Sequence, residues 1–301
     1  MNVRMLLTII SVALVGCASA PATESAPATQ PPSRGHLMLI GGGDKPAAAM
    51  KKFVELAGGA SAPIVVIPTA SGDDDTPAYY LDLFKKELGS TDVVVLPIKE
   101  KADAERPEHA AAAARARGVF FAGGDQSRIT KALLGTPVLD AIRAAFRDGA
   151  VVGGTSAGTA CQSRLMITGE GDFKVIREGA VELVEGLGLL PDGIIVDQHF
   201  IARQRQNRLF TVILEHPDHL GVGVDEDTAA WVRPDGTFEV IGDGSVMVFD
   251  ARGSAIQRGA GEPGTSLLGA HGVRLHIVLP GEVFDTGRRA VVPTAGTAAS
   301  R

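Results

Sequence analysis

Short apolar runs that recur along the chain constrain its fold more than any other feature of the sequence. They are rich in Val, Ile, Leu and Phe, and they cover residues 37–40, 64–67, 93–96, 118–121, 150–152 and 194–196. The segments between them can form helices. Near-continuous apolar strands that alternate with helices indicate a parallel sheet with both faces covered. We therefore predict an α/β fold with a mostly parallel sheet and helices on both faces.

The C-terminal part has a different pattern. Four later runs look like antiparallel strands joined by turns such as Pro234-Asp235-Gly236, and they cover residues 229–233, 237–241, 245–249 and 275–279. We expect them to extend the sheet at one edge. The 301 residues show no linker near the middle, so we expect a single domain over 36–301, with a disordered tail from about residue 287.

The N-terminal residues have the pattern of an export signal. Arg4 precedes an apolar run over residues 5–15, which is too short for a membrane-spanning helix of roughly 20 apolar residues. The sequence Leu14-Val15-Gly16-Cys17 resembles the lipobox of bacterial lipoproteins. We expect residues 1–16 to be a lipoprotein signal peptide and Cys17 to be lipidated.

The residues after the signal indicate how the mature protein is attached and in which compartment it acts. Residues 17–35 are rich in Pro, Ala, Ser and Thr, a composition typical of a flexible tether. Secretion with cleavage near Ala18 or Ala20 is the alternative to lipidation. Either way we expect an exported protein, either a periplasmic or outer-membrane lipoprotein or an extracellular protein, that meets a membrane only through its lipid anchor. Only Cys161 then remains in the domain, which excludes an internal disulfide.

A Gly-x-Ser-x-Gly sequence indicates nucleophilic catalysis. Gly154-Thr155-Ser156-Ala157-Gly158 lies between the run that ends at Val152 and a segment predicted to be helical from Thr159. This context is typical of a nucleophile elbow, in which the serine sits on a strained turn and the next amide faces a developing oxyanion. The alternative is a glycine-rich turn in which Ser156 only caps the helix.

A serine nucleophile needs a base, and His199 is the candidate. It closes the apolar run at 194–196 as part of Asp197-Gln198-His199, where ligand-binding residues of open α/β sheets lie. Three arginines follow at the start of a helix predicted to run to Leu214: Arg203, Arg205 and Arg208. Each cation there is unfavourable by about 0.3 to 1 kcal/mol. We expect the negative charges of Asp197 and of a bound carboxylate to compensate for these arginines. The alternative is that the arginines form a solvated cationic face.

Four motifs form a set that is more specific than any one of them. They are Gly123-Gly124-Asp125-Gln126, residues 154–158, Asp197-Gln198-His199-Phe200 with the arginines after it, and residues 223–229. Together they resemble the cyanophycinase-like serine peptidases of family S51, over roughly residues 36–249. The resemblance implies a flavodoxin-like fold, similar to that of class I glutamine amidotransferases.

The resemblance also implies the site residues. Ser156 is then the nucleophile, His199 the base, and the amides of Gly124 and Ala157 the oxyanion hole. A pocket for a β-linked aspartyl-arginine unit is implied, lined by Gln126, Asp197, Gln198, Arg203, Arg205 and Arg208. The implied activity is hydrolysis of cyanophycin or related β-aspartyl peptides to β-Asp-Arg dipeptides, through an acyl-enzyme.

The acid of the triad is the part of the resemblance that fits least well. The resemblance implies a glutamate between the serine and the histidine, and the matching position falls near Lys174, which cannot orient an imidazole. Glu170 follows an apolar run, and we expect it to be the acid. Asp172, Glu178 and Glu226 are the alternatives, although the cluster Asp225-Glu226-Asp227 has a structural interpretation as well.

Other function classes stay open at this stage. An aspartyl dipeptidase that cleaves Asp-X, an α/β-hydrolase esterase with His271 or His276 as base, and a non-catalytic binding protein are the alternatives. The net charge of -6 gives no reason to expect nucleic acid. Metal-ligand spacing is absent, and Gly41-Gly42-Gly43 lacks dinucleotide-binding spacing, so we expect neither metal nor cofactor. The sequence sets no oligomeric state, and a homodimer is compatible with it.

Overall fold

Strands and helices alternate through the first half of the computed structural model, which describes residues 33–293 except 261 and 263. The strands are β1 (His36–Ile40), β2 (Ile64–Ile67), β3 (Val93–Val95), β4 (Gly118–Phe121), β5 (Val151–Thr155), β6 (Leu165–Gly171), β7 (Val181–Glu185), β8 (Ile194–Asp197), β9 (Leu220–Val224), β10 (Thr228–Val232), β11 (Thr237–Gly242), β12 (Val246–Asp250), β13 (Ala255–Arg258), β14 (Leu268–His271), β15 (Arg274–Val278), β16 (Val283–Asp285) and β17 (Ala290–Val291). The helices are α1 (Ala47–Ala57), α2 (Thr76–Asp82), α3 (Lys101–Ala104), α4 (Pro107–Arg115), α5 (Gln126–Leu133), α6 (Pro137–Arg147), α7 (Ala157–Ala160) and α8 (Gln206–Glu215), with a π-helical segment at Leu83–Glu87.

Nine of these strands form the central sheet, in the order β17-β16-β11-β10-β1-β5-β4-β2-β3. The five strands from β1 to β3 in this order are parallel, and β10, β11, β16 and β17 add antiparallel pairs on the other side of β1. The predicted α/β class is therefore confirmed. The carboxyl ends of β1, β5, β4 and β2 lie side by side, and the loops that follow them meet at one edge.

Alternate residues of the central strands pack on opposite faces of the sheet. Leu37 and Leu39 of β1 belong to a cluster on one face with residues of α5 and α6, whereas Met38 and Ile40 pack on the other face with Phe53 of α1. All four are at most 1% exposed. Burying a side chain of this size contributes about 1.5–3 kcal/mol. The two-sided burial explains why these strands read as continuous apolar runs.

A second sheet corrects one part of the predicted topology. It has four strands in the order β15-β12-β9-β8, with β8 and β9 parallel and the others antiparallel. We expected β8 to be part of the main sheet, and β12 and β15 to extend its edge. All three are in this second sheet instead, because they pair with β9 rather than with β1 or β11. The short pairs β6-β7 and β13-β14 complete the sheets among the described residues.

The two ends of the described chain are attached to the fold. Ser33 Oγ donates to the carbonyl of Phe146 at 2.8 Å. At the other end, β17 pairs with β16, and Arg289 forms an ion pair with Asp250. Residues 287–293 are therefore part of the fold rather than of the tail expected from about residue 287, and residues 294–301 of that tail lie outside the described residues.

The described residues belong to one compact unit. The expected signal peptide (1–16), Cys17 and the tether up to residue 32 lie outside the described residues. Among the described helices, none has the length and apolar character needed to span a bilayer.

Candidate active site

Ser156 lies on a sharp turn between β5 and α7, at the centre of the sheet edge. Its backbone has φ 52° and ψ −114°, a conformation that costs a non-glycine residue on the order of 1–3 kcal/mol. The turn is held because the Ser156 N–H donates to the Ile40 carbonyl of β1 at 3.0 Å. A Cβ at Gly154 would overlap the backbone of Gly158, so the small residues are needed for strand and helix to approach. The local geometry is that of a nucleophile elbow.

The imidazole of His199 faces the Ser156 hydroxyl. Its Nε2 lies 2.8 Å from Ser156 Oγ. The His199 N–H donates to the Gly41 carbonyl at 2.7 Å, which ties the histidine to the loop after β1 although it follows β8 of the second sheet. Gly42 has a positive φ of 117°, and a Cβ there would overlap the imidazole ring. The glycine loop after β1 therefore forms the wall behind the histidine.

The other nitrogen of the imidazole is bonded to Glu226. Glu226 Oε1 accepts a hydrogen bond from His199 Nδ1, so both ring nitrogens are engaged and a continuous chain runs from Ser156 through His199 to Glu226. Glu170 is exposed on β6, and its N–H donates to Thr168 Oγ1 at 3.1 Å. The expected acid was therefore wrong, because the partner carboxylate comes from the loop after β9, beyond the histidine in the chain.

All three acidic residues of that loop have a role in the site. Asp225 Oδ1 accepts from the N–H groups of Ile201 and Ala202, both at 3.0 Å, and so holds the turn that carries His199. Asp227 Oδ1 accepts from the Asp44 N–H at 2.6 Å, which holds the glycine loop. The cluster is thus structural at its two outer positions and bonded to the imidazole at its centre.

The environment of His199 favours the neutral imidazole. Burial lowers the pKa of His199, the positive charges of Arg203 and Arg205 lower it further, and the hydrogen bond to Glu226 opposes both effects. The net effect is a pKa below the usual range of histidine. A neutral imidazole is the form that can accept a proton from a hydroxyl.

The backbone amides of Ala157 and Gly124 are the candidates for an oxyanion hole. Ala157 is the first residue of α7, so its N–H has no acceptor within the helix. Gly124 has φ 136°, and a Cβ there would overlap the Ala70 carbonyl. The preceding Gly123 lies against the nucleophile, since a Cβ on it would be 3.4 Å from Ser156 Cβ. The helix begins at Ala157 rather than Thr159 and has only four residues, so any oxyanion stabilisation comes from the amides rather than from a long helix dipole.

Asp197 and Arg208 form a buried ion pair. They are 1% and 2% exposed, and Asp197 accepts from Arg208 Nε at 2.7 Å and from Nη2. Asp197 also accepts from the Gln198 N–H at 2.8 Å. The structure encloses both side chains and bonds them to each other, and their expected contact with substrate stays a prediction. The pair fixes the start of α8 beneath the site.

Arg205 and Gln198 lie closer to the nucleophile. Arg205 Nη1 donates to the Gln198 carbonyl at 2.9 Å and to its side-chain Oε1 at 2.6 Å, and that Oε1 lies 3.4 Å from Ser156 Oγ. Burial, followed by the charge of Arg208, lowers the pKa of Arg205 to about 10, so it stays charged at neutral pH. Arg203 is exposed, with Nε 3.8 Å from Glu226 Oε1. Both arginines thus border the Ser156–His199–Glu226 chain.

The remaining candidates lie apart from the hydroxyl or are engaged elsewhere. Gln126 begins α5, and its buried amide donates to the Ile167 carbonyl at 2.9 Å. His271 and His276 are on β14 and β15, so neither occupies the place of a base beside Ser156, as the esterase alternative requires. Cys161 is fully buried, and burial raises the pKa of its thiol, which makes it a poor nucleophile.

Comparison with known proteins identifies the family. The sequence profile of Peptidase family S51 matches residues 37–240. The chain belongs to Peptidase family S51. It is 39% identical over 257 residues to the cyanophycinase of Synechococcus elongatus, covering 84% of this chain and 79% of that protein. It is 33% identical over 268 residues to the cyanophycinase of Geminocystis herdmanii (strain PCC 6308), covering 87% and 97%.

A solved structure supports the fold. The crystal structure of a peptidase from an acI-B1 Actinobacterium superposes with a TM-score of 0.60 at 22% identity, covering 82% of this chain and 98% of that chain. At this identity the match supports the fold and nothing about the activity. The resemblance to S51 peptidases is therefore confirmed. As a member of this family, the chain is a serine-type peptidase and thus a hydrolase.

Proposed function

We propose that Ser156, His199 and Glu226 act as one catalytic triad in a two-step acyl transfer. The observation that carries the proposal is the unbroken hydrogen-bonded chain from the strained serine to the carboxylate. His199 Nε2 takes the hydroxyl proton as Ser156 Oγ attacks an amide carbonyl, and Glu226 stabilises the imidazolium that forms. The amides of Gly124 and Ala157 donate to the developing oxyanion.

The same imidazole completes both steps. It returns its proton to the leaving amine as the C–N bond breaks, which leaves an ester on Ser156. A water molecule then loses a proton to His199 and attacks the ester, and the acid product leaves as the serine is restored. Arg205 is bonded to both oxygens of Gln198, and Gln198 Oε1 lies beside Ser156 Oγ, so this pair borders the nucleophile.

For the substrate, we propose cyanophycin or a related β-aspartyl peptide, cleaved to β-Asp-Arg dipeptides. Two observations support this. The curated relatives are named cyanophycinases, and the family match covers most of the described residues. Arg203 and Arg205 also place positive charge beside Ser156, where a substrate carboxylate would be favoured.

Product identification tests the substrate directly. The full chain is incubated with cyanophycin and, separately, with an Asp-X dipeptide, and the released products are identified by mass. Release of β-Asp-Arg from cyanophycin is the expected result. Cleavage of Asp-X alone would move the assignment to an aspartyl dipeptidase, and cleavage of neither would favour a binding protein on the same fold.

We also propose that the protein is exported and anchored by a lipid on Cys17. The support is the sequence Leu14-Val15-Gly16-Cys17 after a short apolar run. In a bacterial host, the mature chain should partition into detergent and carry a lipidated N-terminal peptide beginning at Cys17. The Cys17→Ser variant should lose both properties. A water-soluble mature protein that begins near Ala18 or Ala20 would refute anchoring and leave simple secretion.

A further inference from the structure

Two members of the proposed triad are held by consecutive carbonyls at the end of β1. The Ile40 carbonyl accepts the N–H of Ser156 at 3.0 Å, and the Gly41 carbonyl accepts the N–H of His199 at 2.7 Å. Ser156 follows β5 of the central sheet, whereas His199 follows β8 of the second sheet. The same short segment therefore joins the two sheets at the point where the hydroxyl and the imidazole meet.

The next carbonyl holds the loop that carries the acid. The Gly42 carbonyl accepts the N–H of Asp227 at 3.0 Å, and Asp227 directly follows Glu226. Three consecutive carbonyls thus accept hydrogen bonds from three separate loops, each of which carries one member of the proposed triad. We refer to Ile40-Gly41-Gly42 as the anchor segment.

The three residues that donate to the anchor segment share a rare backbone conformation. Ser156, His199 and Asp227 have φ values of 52°, 49° and 54°. A positive φ is unfavourable for a residue other than glycine, and it persists only where the surrounding contacts hold it. The hydrogen bonds to the anchor segment are contacts of this kind. Loss of any one of them therefore lets a loop relax toward an ordinary conformation.

One end of the anchor segment is held by the hydroxyl of Thr159. This side chain is fully buried in α7, and its Oγ1 lies 2.7 Å from the Ile40 carbonyl oxygen and 2.8 Å from that of Gly154. The hydroxyl thus bridges the ends of β1 and β5. The Thr159 N–H also donates to the Ser156 carbonyl at 2.9 Å, so Thr159 contacts the turn of the nucleophile as well. No step of the proposed reaction uses this hydroxyl.

The other end of the anchor segment is held by the carboxylate of Asp227. Asp227 Oδ1 accepts the N–H of Asp44 at 2.6 Å, two residues beyond Gly42, so Asp227 contacts this loop through both its backbone and its side chain. Between the two ends, a Cβ at Gly41 would overlap the Asp225 carbonyl. The anchor segment is therefore packed directly against the loop after β9.

We propose that Thr159 and Asp227 are positioning residues of the peptidase. Each side chain holds one end of the anchor segment, and the segment sets the distances from Ser156 to His199 and from His199 to Glu226. The proposal rests on the proposed function, because these distances matter for catalysis only if the three residues act as a triad. Both side chains act through the anchor segment rather than on the substrate.

Replacing Thr159 by Val and by Ser tests the first end. Valine keeps the size of the side chain but puts a methyl group in place of the hydroxyl. A methyl carbon lies no closer than about 3.3 Å to a carbonyl oxygen, so the Ile40 carbonyl must move by roughly 0.5 Å. Since a displacement of about 1 Å lowers a rate by about 10²-fold, Thr159→Val should lower kcat about tenfold. KM should change less than about twofold. Thr159→Ser keeps the donor and should retain kcat within about twofold, which controls for lost packing.

Replacing Asp227 by Gly and by Asn tests the second end. Glycine removes the acceptor without strain at a positive φ, whereas asparagine keeps the acceptor and tolerates this conformation. Asp227→Gly should lower kcat about tenfold and loosen the contact between Glu226 and His199. Glu226 raises the pKa of His199, whereas burial and the charges of Arg203 and Arg205 lower it. The acid limb of kcat/KM should therefore move to lower pH in Asp227→Gly and stay in place in Asp227→Asn.

The outcomes separate this proposal from the proposed function. If a fluorophosphonate does not label Ser156 of the parent protein and the parent has no turnover, the proposed function fails. If the parent reacts, and Thr159→Val and Asp227→Gly lower the free energy of unfolding but keep the kcat and the acid limb of the parent, both residues are only structural. The proposal is then refuted and the triad is untouched. An equal loss of kcat in Thr159→Ser and Thr159→Val would refute the role of the hydroxyl.

Amide hydrogen exchange on the unaltered protein covers the case in which a variant does not fold. If the anchor segment holds the three loops as one unit, the N–H groups of Ser156, His199 and Asp227 open together, and their protection factors should agree within about threefold. Exchange of any one of them at the rate of an exposed amide would overturn the assignment.

Discussion

Replacing Glu226 by Gln tests its role as the acid of the triad. From the sequence, Glu226 was the last of the alternatives to Glu170. The amide keeps the size of the carboxylate but removes its charge. It therefore stabilises an imidazolium less than the carboxylate does, and it holds the correct tautomer of His199 less firmly. The contact between His199 Nδ1 and Glu226 Oε1 is direct. We expect the hydroxyl to stay in place while its activation is lost.

The expected loss is smaller than in the best-known serine proteases. Removing a fully buried triad carboxylate lowers kcat by about 10⁴-fold. The Glu226 side chain is 33% exposed, so water can partly replace its charge. We therefore expect kcat to fall by about 10²- to 10³-fold in Glu226→Gln. Glu170→Gln is the matched control, and because Glu170 is exposed and both imidazole nitrogens are bonded to other residues, its effect should stay within about twofold.

The pH profile gives a second readout for the same variant. Activity rises with pH as His199 loses its proton, because only the neutral imidazole can act as the base. Glu226 raises the pKa of His199, so its removal lowers that pKa and should move the acid limb of kcat to lower pH. A variant with full turnover, or with an unchanged acid limb, would refute the role assigned to Glu226.

Three further variants probe the surroundings of the triad. Gly42→Ala should displace the imidazole and slow labelling of the serine by about 10²-fold without loss of circular dichroism signal, and normal labelling would contradict the close packing. Arg203→Gln removes a charge that lowers the pKa of His199, so the acid limb should move to higher pH, and a shift to lower pH would reverse the assigned sign. Arg208→Met removes the bidentate partner of the buried Asp197 and leaves only Arg205, 3.9 Å away, as a cation near it; it should lower the free energy of unfolding in urea by about 3 kcal/mol, whereas Arg203→Met, at an exposed site, should change it little.

Local features of the site could be predicted from the sequence. The turn at Ser156 depends on residues two positions away on either side, and the steric need for Gly154 and Gly158 is visible in the pentapeptide itself. The parallel strands were predictable because burial on both faces leaves continuous apolar runs. The position of His199 followed from the rule that site residues come directly after strands.

Non-local pairing explains what the sequence did not reveal. Whether β8 pairs with β1 or with β9 is decided by packing between segments far apart in the chain, and its apolar pattern suits either sheet. Glu226 follows β9 directly, so the rule that found His199 would also have found this carboxylate. The resemblance implied a glutamate between the serine and the histidine, and Glu170 fits that interval whereas Glu226 does not. The burial of Arg208 could not be predicted from the sequence either, because an arginine at the start of a helix usually faces solvent.

Reaction of the protein with a fluorophosphonate, followed by peptide mass analysis and assay of peptide turnover, tests whether Ser156 is the nucleophile. We expect a single adduct on Ser156, no adduct in Ser156→Ala, and a fall in kcat on the order of 10⁶-fold in that variant. An adduct on another residue, or turnover in Ser156→Ala equal to that of the parent protein, would contradict this role.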